Sequence, residues 1–341
     1  MVPGPKPLPE EMELIVRLMQ VCNVGDICGG TAACAWSIAH AFPEWEHVVF
    51  FLSKPTAETR LAFEGCELRQ GRTLKDQDVR DAKADLVLLH NTSSQKTEKI
   101  RSAFTLQYCH SAGDHAAADA TVACSNWLSR KMREQPDVLH QPVLIPPRPA
   151  DLSFRHLDEE LTVGRICTPR MRKWPLEALP LYRSVTLAFP ELHWEFVGCP
   201  SEVQPQWSQA CENRVRFLPA GWQSRSHLWN WHAMLYHHPD LTESFGRTVA
   251  EALRAGCLPI VDQRGGFFEQ LEDSPAGFLC GSPEEFISAV TRIREPAARW
   301  QLSKEGQNFS EQRWSLAAFR ERFIDLLNNL TGSDHGTEAS G

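Results

Sequence analysis

Short apolar runs recur along the chain, each followed by a stretch that reads as helix or loop. In the first half, residues 14–22 (LIVRLMQVC), 47–52, 85–90, 104–109 and 120–124 read as buried strands, and 142–145 (PVLI) closes the series. Residues 31–42 read as a helix with Ala and Ile on its apolar face. Ser125 is placed to cap a helix over 126–134. In the second half, strands are expected at 161–167, 194–198, 214–218, 233–236, 258–261 and 277–280. Helices are expected at 174–189, 224–231, 247–254, around Glu269, at 283–294 and at 314–330. Strands that alternate with helices predict doubly wound parallel sheets, and no solenoid-period repeat competes with that reading. The proline-rich, charged segment 146–160 interrupts the pattern and marks a domain boundary. The expected organisation is a flexible tail (1–12), a Rossmann-like domain (13–148), a second one (160–312), a final helix packing back across the domains (313–330) and a disordered tail (331–341).

The most informative stretch is PDLTESFGRTVAEALRAGCLPIV, from Pro239 to Val261. A strand ends before it, a loop holds Glu243-Ser244-Phe245-Gly246, and the helix formers RTVAEALR follow, with Val249, Ala250 and Leu253 on one face. Gly256 stands where the helix should stop, and Pro259 lies just beyond. A helix N-terminus presents N–H groups and a partial positive charge, which suits a phosphate. Glu243 ahead of the helix and Glu251 within it can accept hydrogen bonds from sugar hydroxyls. The combination points to a sugar that carries a phosphate.

Other candidates sit at strand ends, where open α/β sheets bind ligands. Gly29-Gly30 lies between the first strand and its helix. His90 and His110 end two strands, with Asp114 and His115 as weaker neighbours. Arg165, Arg170, Arg172 and Lys173 surround one strand-to-helix loop, and cations there suit an anionic group such as a phosphate. Asp76 and Asp78 look like a metal pair, but TLKDQDVRDAK reads as an exposed helix start.

Composition narrows the class. The chain has 341 residues, 42% of them hydrophobic, enough for two cored domains. A net charge of −8 argues against nucleic acid. No apolar run is long enough to span a membrane and the N-terminus lacks a signal-peptide core, which reads as cytoplasmic. Helix 126–134 (NWLSRKMRE) carries Trp127, Arg130, Lys131 and Arg133, a weak peripheral membrane contact at most. Eleven cysteines, an odd count without Cys-x-x-Cys, read as buried reduced thiols; no Cys/His group has zinc-ligand spacing. Five of the eleven tryptophans fall between Trp194 and Trp231, read first as core packing.

The 239–261 run resembles the Glu-x7-Glu segment of retaining, nucleotide-sugar-dependent glycosyltransferases of family 4, which have the GT-B fold. The Gly265-Gly266-x-x-Glu269 run, the strand ends WEFVG and RVRFL, and the Gly29-Gly30 loop resemble that family too. The resemblance covers most of 14–330 and is strongest over 161–295. It implies two Rossmann-like domains facing each other across a cleft, with the first on the acceptor side and the second holding a nucleoside-diphosphate sugar. By resemblance, His110, Glu243, Arg165 and Lys173 are catalytic. Glu243, Ser244, Phe245, Gly246, Glu251, Arg165, Lys173, Gly265 and Gly266 bind the donor, and Gly29 and Gly30 form an acceptor or phosphate loop. No metal or cofactor is implied beyond the co-substrate, and the acceptor (glycan, lipid or metabolite) is left open. Two departures stand out: Trp174 follows Lys173 where the family has Gly, and Pro147-Arg148 replaces Asn-Gly in the linker. The thin match of the first half and that altered linker motivate a second reading, a catalytically inactive GT-B module that binds a nucleotide sugar or glycan as a partner subunit.

Overall fold

The computed structural model describes residues 16–149 and 160–332. The expected N-terminal tail, the core of the linker and most of the C-terminal tail lie outside the described residues. The chain divides into two units: 16–142 with 315–332, and 143–314. Each contains one all-parallel sheet, the two-fold Rossmann-like construction of the GT-B class.

The first sheet runs β3-β2-β1-β4-β5-β6-β7. Its strands are β1 (Arg17–Cys22), β2 (Glu46–Phe51), β3 (Glu67–Gln70), β4 (Leu86–His90), β5 (Phe104–Cys109), β6 (Ala120–Ala123) and β7 (Asp137–Val138). β1 and β4 are apolar almost end to end because helices cover both faces of a parallel sheet. The helices are α1 (Gly30–Ala41), α2 (Ala57–Ala62), α3 (Asp76–Ala82) and the single turn α4 (Asn126–Ser129). Strand order reverses between β1 and β4, so the α1 N-terminus and His90 meet at the switch point of the sheet.

The second sheet runs β10-β9-β8-β11-β12-β13. It comprises β8 (Leu161–Ile166), β9 (Leu192–Val197), β10 (Val215–Leu218), β11 (Ala233–Tyr236), β12 (Leu258–Asp262) and β13 (Phe278–Cys280). Its helices are α5 (Leu179–Ala188), α6 (Gln204–Ala210), α7 (Arg247–Arg254), α8 (Gly265–Leu271), α9 (Pro283–Ile293) and α10 (Pro296–Trp314). Here the order reverses between β8 and β11. The loops after those two strands are the ones that carry Lys173 and Glu243.

Several expectations change. The helix at 126–134 stops at Ser129, whose hydroxyl donates to the Pro136 carbonyl at 2.6 Å, so its basic membrane-facing side is not formed. The 142–145 run is not a strand: Val143 N donates to Trp314 O at 2.8 Å, which ties it to the second unit and puts the division at 142/143 rather than 148. The 174–189 helix opens with two 3-10 turns before α5, and 224–231 is a 3-10 stretch, Trp222–Trp229. The helix at 314–330 is α11 (Leu316–Gly332), which belongs to the first unit; Phe319 and Phe323 pack on Phe42 of α1. α10 was not foreseen. Its buried residues are Arg299, Leu302, Ser303, Gly306, Ser310 and Trp314, mostly polar or small with only two large apolar side chains. A Cβ on Gly306 would lie 2.9 Å from the Leu253 side chain of α7 and 3.0 Å from that of Ala276, so the glycine lets α10 pack closely there.

The tryptophans form the second core. Trp174, Trp194 and Trp207 are buried around Tyr182 and Phe196 with ring centroids between 4.8 and 5.8 Å apart. Trp231 lies over β8, where a Cβ on Gly164 would come within 2.0 Å of its ring. Gly164→Ala should therefore destabilise the protein by about 1–3 kcal/mol, the usual cost of overpacking a core. A urea melt should show a lower midpoint at unchanged slope. A midpoint equal to wild type would contradict this packing account.

Candidate functional site

The site is built outward from Arg165 at the end of β8. Its side chain is fully buried. The guanidinium donates to the Tyr182 hydroxyl at 2.6 Å, to the His237 carbonyl at 3.0 Å and to the Lys173 carbonyl at 2.8 Å. Four rings surround it, Tyr236 at 4.5 Å, Trp174 at 5.0 Å, Trp207 at 5.4 Å and Tyr182 at 5.6 Å. Hydrogen bonds and covered faces offset the cost of burying a cation; here Nη1 and Nη2 are bonded and Nε has no partner among the described residues. Arg165 is thus a brace that fixes the loop before Trp174, and in this structure it does not present its charge to a ligand. That corrects the expectation of a diphosphate-facing arginine.

What the brace positions is Lys173. Its ammonium donates to Glu243 Oε1, which also accepts from the Tyr236 hydroxyl at 3.2 Å. The side chains of Lys173 and Glu243 are 15% and 26% exposed, so the pair is reachable by a ligand yet partly desolvated. Arg170 and Arg172 remain exposed at the surface. Among the basic residues of this loop, Lys173 is the one that reaches the glutamate. Burial pushes the Tyr236 phenol well above its ordinary range, so it stays a neutral donor to Glu243.

His238 locks the two loops together. Its Nδ1 accepts from Asp240 N at 3.1 Å and Leu241 N at 2.8 Å, and its Nε2 donates to the Arg172 carbonyl at 2.8 Å. Asp262, at the end of β12, accepts from His238 N at 2.8 Å and pairs with His237 at 2.6 Å and Arg264 at 3.3 Å. None of these supporting residues was singled out from sequence, although the strand-end rule applies to Asp262.

Gly246 caps α7 with φ +81, and the Phe267 ring occupies the space a Cβ would need. The first turn of α7 has no acidic residue and no side-chain cap, which leaves its positive end open to an anion. Gly265 and Gly266 are buried, and Cβ atoms on them would lie 2.6 Å from the Glu243 carbonyl oxygen and 2.5 Å from that of Ser244, so they set the height of the Glu243 loop. Phe245 is likewise core, edge-on to Trp314. Ser244 is half-buried beside it. Glu251 is buried; its Oε1 pairs with Arg247 at 3.0 Å and Arg225 at 3.5 Å, and Arg225 itself lies 3.3 Å over the Trp222 ring. The Arg247–Glu251 pair has the i,i+4 spacing that sequence could have shown. At the C-terminal edges of β8, β9 and β10 lies a pocket of about 580 Å³, lined by Pro169, Met171, Gly198, Phe217, Leu218 and Ala220 among others.

The remaining candidates belong to the first unit. Gly29 caps α1 without a side-chain bond, and a Cβ on Gly30 would meet nothing within 4 Å, so this helix end is also open. His110 follows β5. Its Nε2 lies 3.0 Å from His90 Nδ1 and its Nδ1 3.0 Å from Gln141 Nε2. Asp114 holds Ser94, and His115 reaches Asn91 at 3.3 Å. Asp76 and Asp78 are helix-start acids: Asp76 accepts from Arg101 N and Ser102, and Asp78 accepts from Lys75 N. None of the eleven cysteines forms a disulfide.

His238 is 5% exposed, and burial lowers its pKa below the ordinary value of 6.5. Protonation at Nδ1 would break two bonds from the backbone. The unfolded chain therefore binds more protons at mildly acid pH, and this contribution to stability is whole above about pH 6.5. It is lost as pH falls from there through the folded-state pKa, by up to about 1.4 kcal/mol per pH unit. His238→Gln should flatten the fall in stability between about pH 6.5 and 5. Parallel wild-type and variant curves in chemical denaturation would contradict this.

The family model described as Glycosyl transferases group 1 matches residues 160–295. A trehalose synthase of Pyrococcus horikoshii is 28% identical over 94 residues, 27% of this chain and 23% of that protein. The human alpha-1,3/1,6-mannosyltransferase ALG2 is 31% identical over 90 residues, 26% of this chain and 22% of that protein. The chain thus spans under a quarter of the length of these curated relatives. Among solved structures, Anabaena Alr3699/HepE in complex with UDP and glucose superposes with a TM-score of 0.73 at 17% identity, covering 92% of this chain and 100% of that one. Among the described residues, no helix is long and apolar enough to cross a membrane. The match to the glycosyl transferases group 1 model thus falls on the second unit, whose strand-end loops lie within the matched segment.

Proposed function

We propose that the protein is a retaining glycosyltransferase that takes a sugar from a nucleoside-diphosphate donor held on the second unit. The observation that carries the reading is the convergence, at the switch point of the second sheet, of Lys173, Glu243 and the open N-terminus of α7. Lys173 and the helix end supply positive charge to the diphosphate as the glycosidic bond breaks. Glu243 holds the sugar hydroxyls. Glu251, oriented by Arg225 and Arg247 through Oε1, meets the ribose with its other oxygen. The pocket at the β8–β10 edges takes the base. Support for the donor class comes from HepE, whose structure holds UDP and glucose.

Positive charge from lysine and backbone does the work that a divalent ion does elsewhere, so no metal or cofactor is assigned to the transfer step. No side chain here is placed as an enzyme nucleophile. A donor phosphate oxygen takes the acceptor proton, which delivers the acceptor to the face the phosphate leaves and retains the configuration. The acceptor is a hydroxyl of a glycan, lipid or metabolite. A cytoplasmic location, where nucleoside-diphosphate sugars would reach the site, belongs to the same proposal.

Turnover is read as nucleoside diphosphate released from a panel of nucleoside-diphosphate sugars. Lys173→Met should lower kcat by about 10²–10³-fold, the usual cost of losing one preorganised charge donor, with a melting curve close to wild type. Glu243→Ala should behave alike. Arg165→Ala should lose both turnover and several degrees of Tm, because it leaves the aromatic cage and two carbonyls without their cation. Wild-type kcat in Lys173→Met would sink the assignment.

A further inference from the structure

Three donor atoms from distant parts of the first unit come together beneath its switch point. They are the Cys34 thiol on α1, His90 at the end of β4 and His110 just after β5, and one ligand atom of each lies within 4.8 Å of the others. Cys34 and His90 are buried, and His110 is partly buried. Linear spacing hides the group, because α1, β4 and β5 are far apart in sequence.

The hydrogen bonds around the group fix the orientation of its lone pairs. Gln20 donates through Nε2 to the Ala35 carbonyl at 3.0 Å, so its Oε1 faces His90 Nε2, also at 3.0 Å. His90 Nε2 must then carry the proton, which leaves Nδ1 as a bare lone pair aimed inward, 3.0 Å from His110 Nε2. On the far side of His110, the Gln141 amide lies 3.0 Å from Nδ1, and its Oε1 is buried without a partner. Turned about its χ3, that oxygen accepts a proton from His110 Nδ1 as Gln20 does from His90 Nε2. Each imidazole then has an amide oxygen on its outer nitrogen, the arrangement that orients metal-bound histidines.

We propose that Cys34, His90 and His110 form a zinc site, with Gln20 and Gln141 as the groups that hold its imidazoles. One thiolate and two imidazoles suit zinc by softness. Zn–N near 2.05 Å and Zn–S near 2.3 Å in a tetrahedron set the N···N separation at about 3.4 Å and N···S at about 3.6 Å. The imidazole pair has to open by a few tenths of an ångström and the sulfur to close by up to about one. Binding releases one proton, from the Cys34 thiol, and moves the His110 proton from Nε2 to Nδ1. Partial exposure of His110 gives solvent access to the fourth position. Loaded, the site pins α1 to the ends of β4 and β5 and commits the His110 nitrogen that faces His90. It rests on the first unit alone and stands or falls separately from the donor site.

The test uses the full chain stripped with chelator, with cobalt(II) as the probe. One cobalt should bind per chain with a thiolate-to-metal charge-transfer band, and zinc should displace it. X-ray absorption of the zinc-loaded wild type should show one sulfur and two imidazoles, a readout that needs no variant to fold. Cys34→Ser should abolish the band and Cys66→Ser should leave it. Absence of saturable binding, a sulfur count of zero or of two or more, or a band that survives Cys34→Ser would each overturn the proposal.

Discussion

A guanidinium without solvent contact must find its whole environment inside the protein. Arg165 does so with three hydrogen bonds and four aromatic rings, drawn from four places in the second unit: residues 173–174, Tyr182 of α5, Trp207 of α6 and residues 236–237 at the end of β11. The Tyr182 hydroxyl that it meets also donates to the Leu235 carbonyl at 3.2 Å, so α5, β8 and β11 share one polar centre in an otherwise aromatic core. Breaking such a centre leaves buried acceptors unpaired, which costs more than the bonds themselves contribute. The geometry of Lys173 follows from this constraint, because its own carbonyl is one of the three acceptors. Arg165 therefore acts on the reaction through Lys173.

The two sheets use their switch points differently. In the second unit, polar side chains converge from the loops after β8 and β11, glycines at 265 and 266 let backbone stack on backbone beneath Glu243, and Gly246 makes room for the Phe267 ring. In the first, the equivalent place is occupied by imidazoles and a thiol facing inward, with the α1 N-terminus open beside them. One arrangement suits an anion with hydroxyls, the other a soft cation. A shared strand order thus leaves the chemistry to side chains at a handful of strand ends.

Sequence patterning read the parallel-sheet architecture and placed β5, β11 and α7 to the residue, because buried strands are continuous apolar runs and α7 carries its own stop at Gly256. It brought Arg165, Lys173 and Glu243 into one group. What it could not read was burial of charge. Only packing shows Arg165 caged by rings and Glu251 held through one oxygen by two arginines. Helix α10 was invisible for a related reason: between Leu302 and Trp314 its buried positions are Ser303, Gly306 and Ser310, which leave no regular apolar period. The Cys34–His90–His110 group is a product of topology, and no local spacing encodes it.

The central claim is that the loops after β8 and β11 hold a nucleoside diphosphate sugar. The most direct measurement is a thermal-shift panel of nucleoside diphosphates and their sugars, run on the wild type and on Glu251→Ala. The account predicts a stabilisation selective for one base in the wild type, growing with ligand concentration and lost in the variant. No shift with any nucleotide, or an equal shift in both proteins, would contradict it.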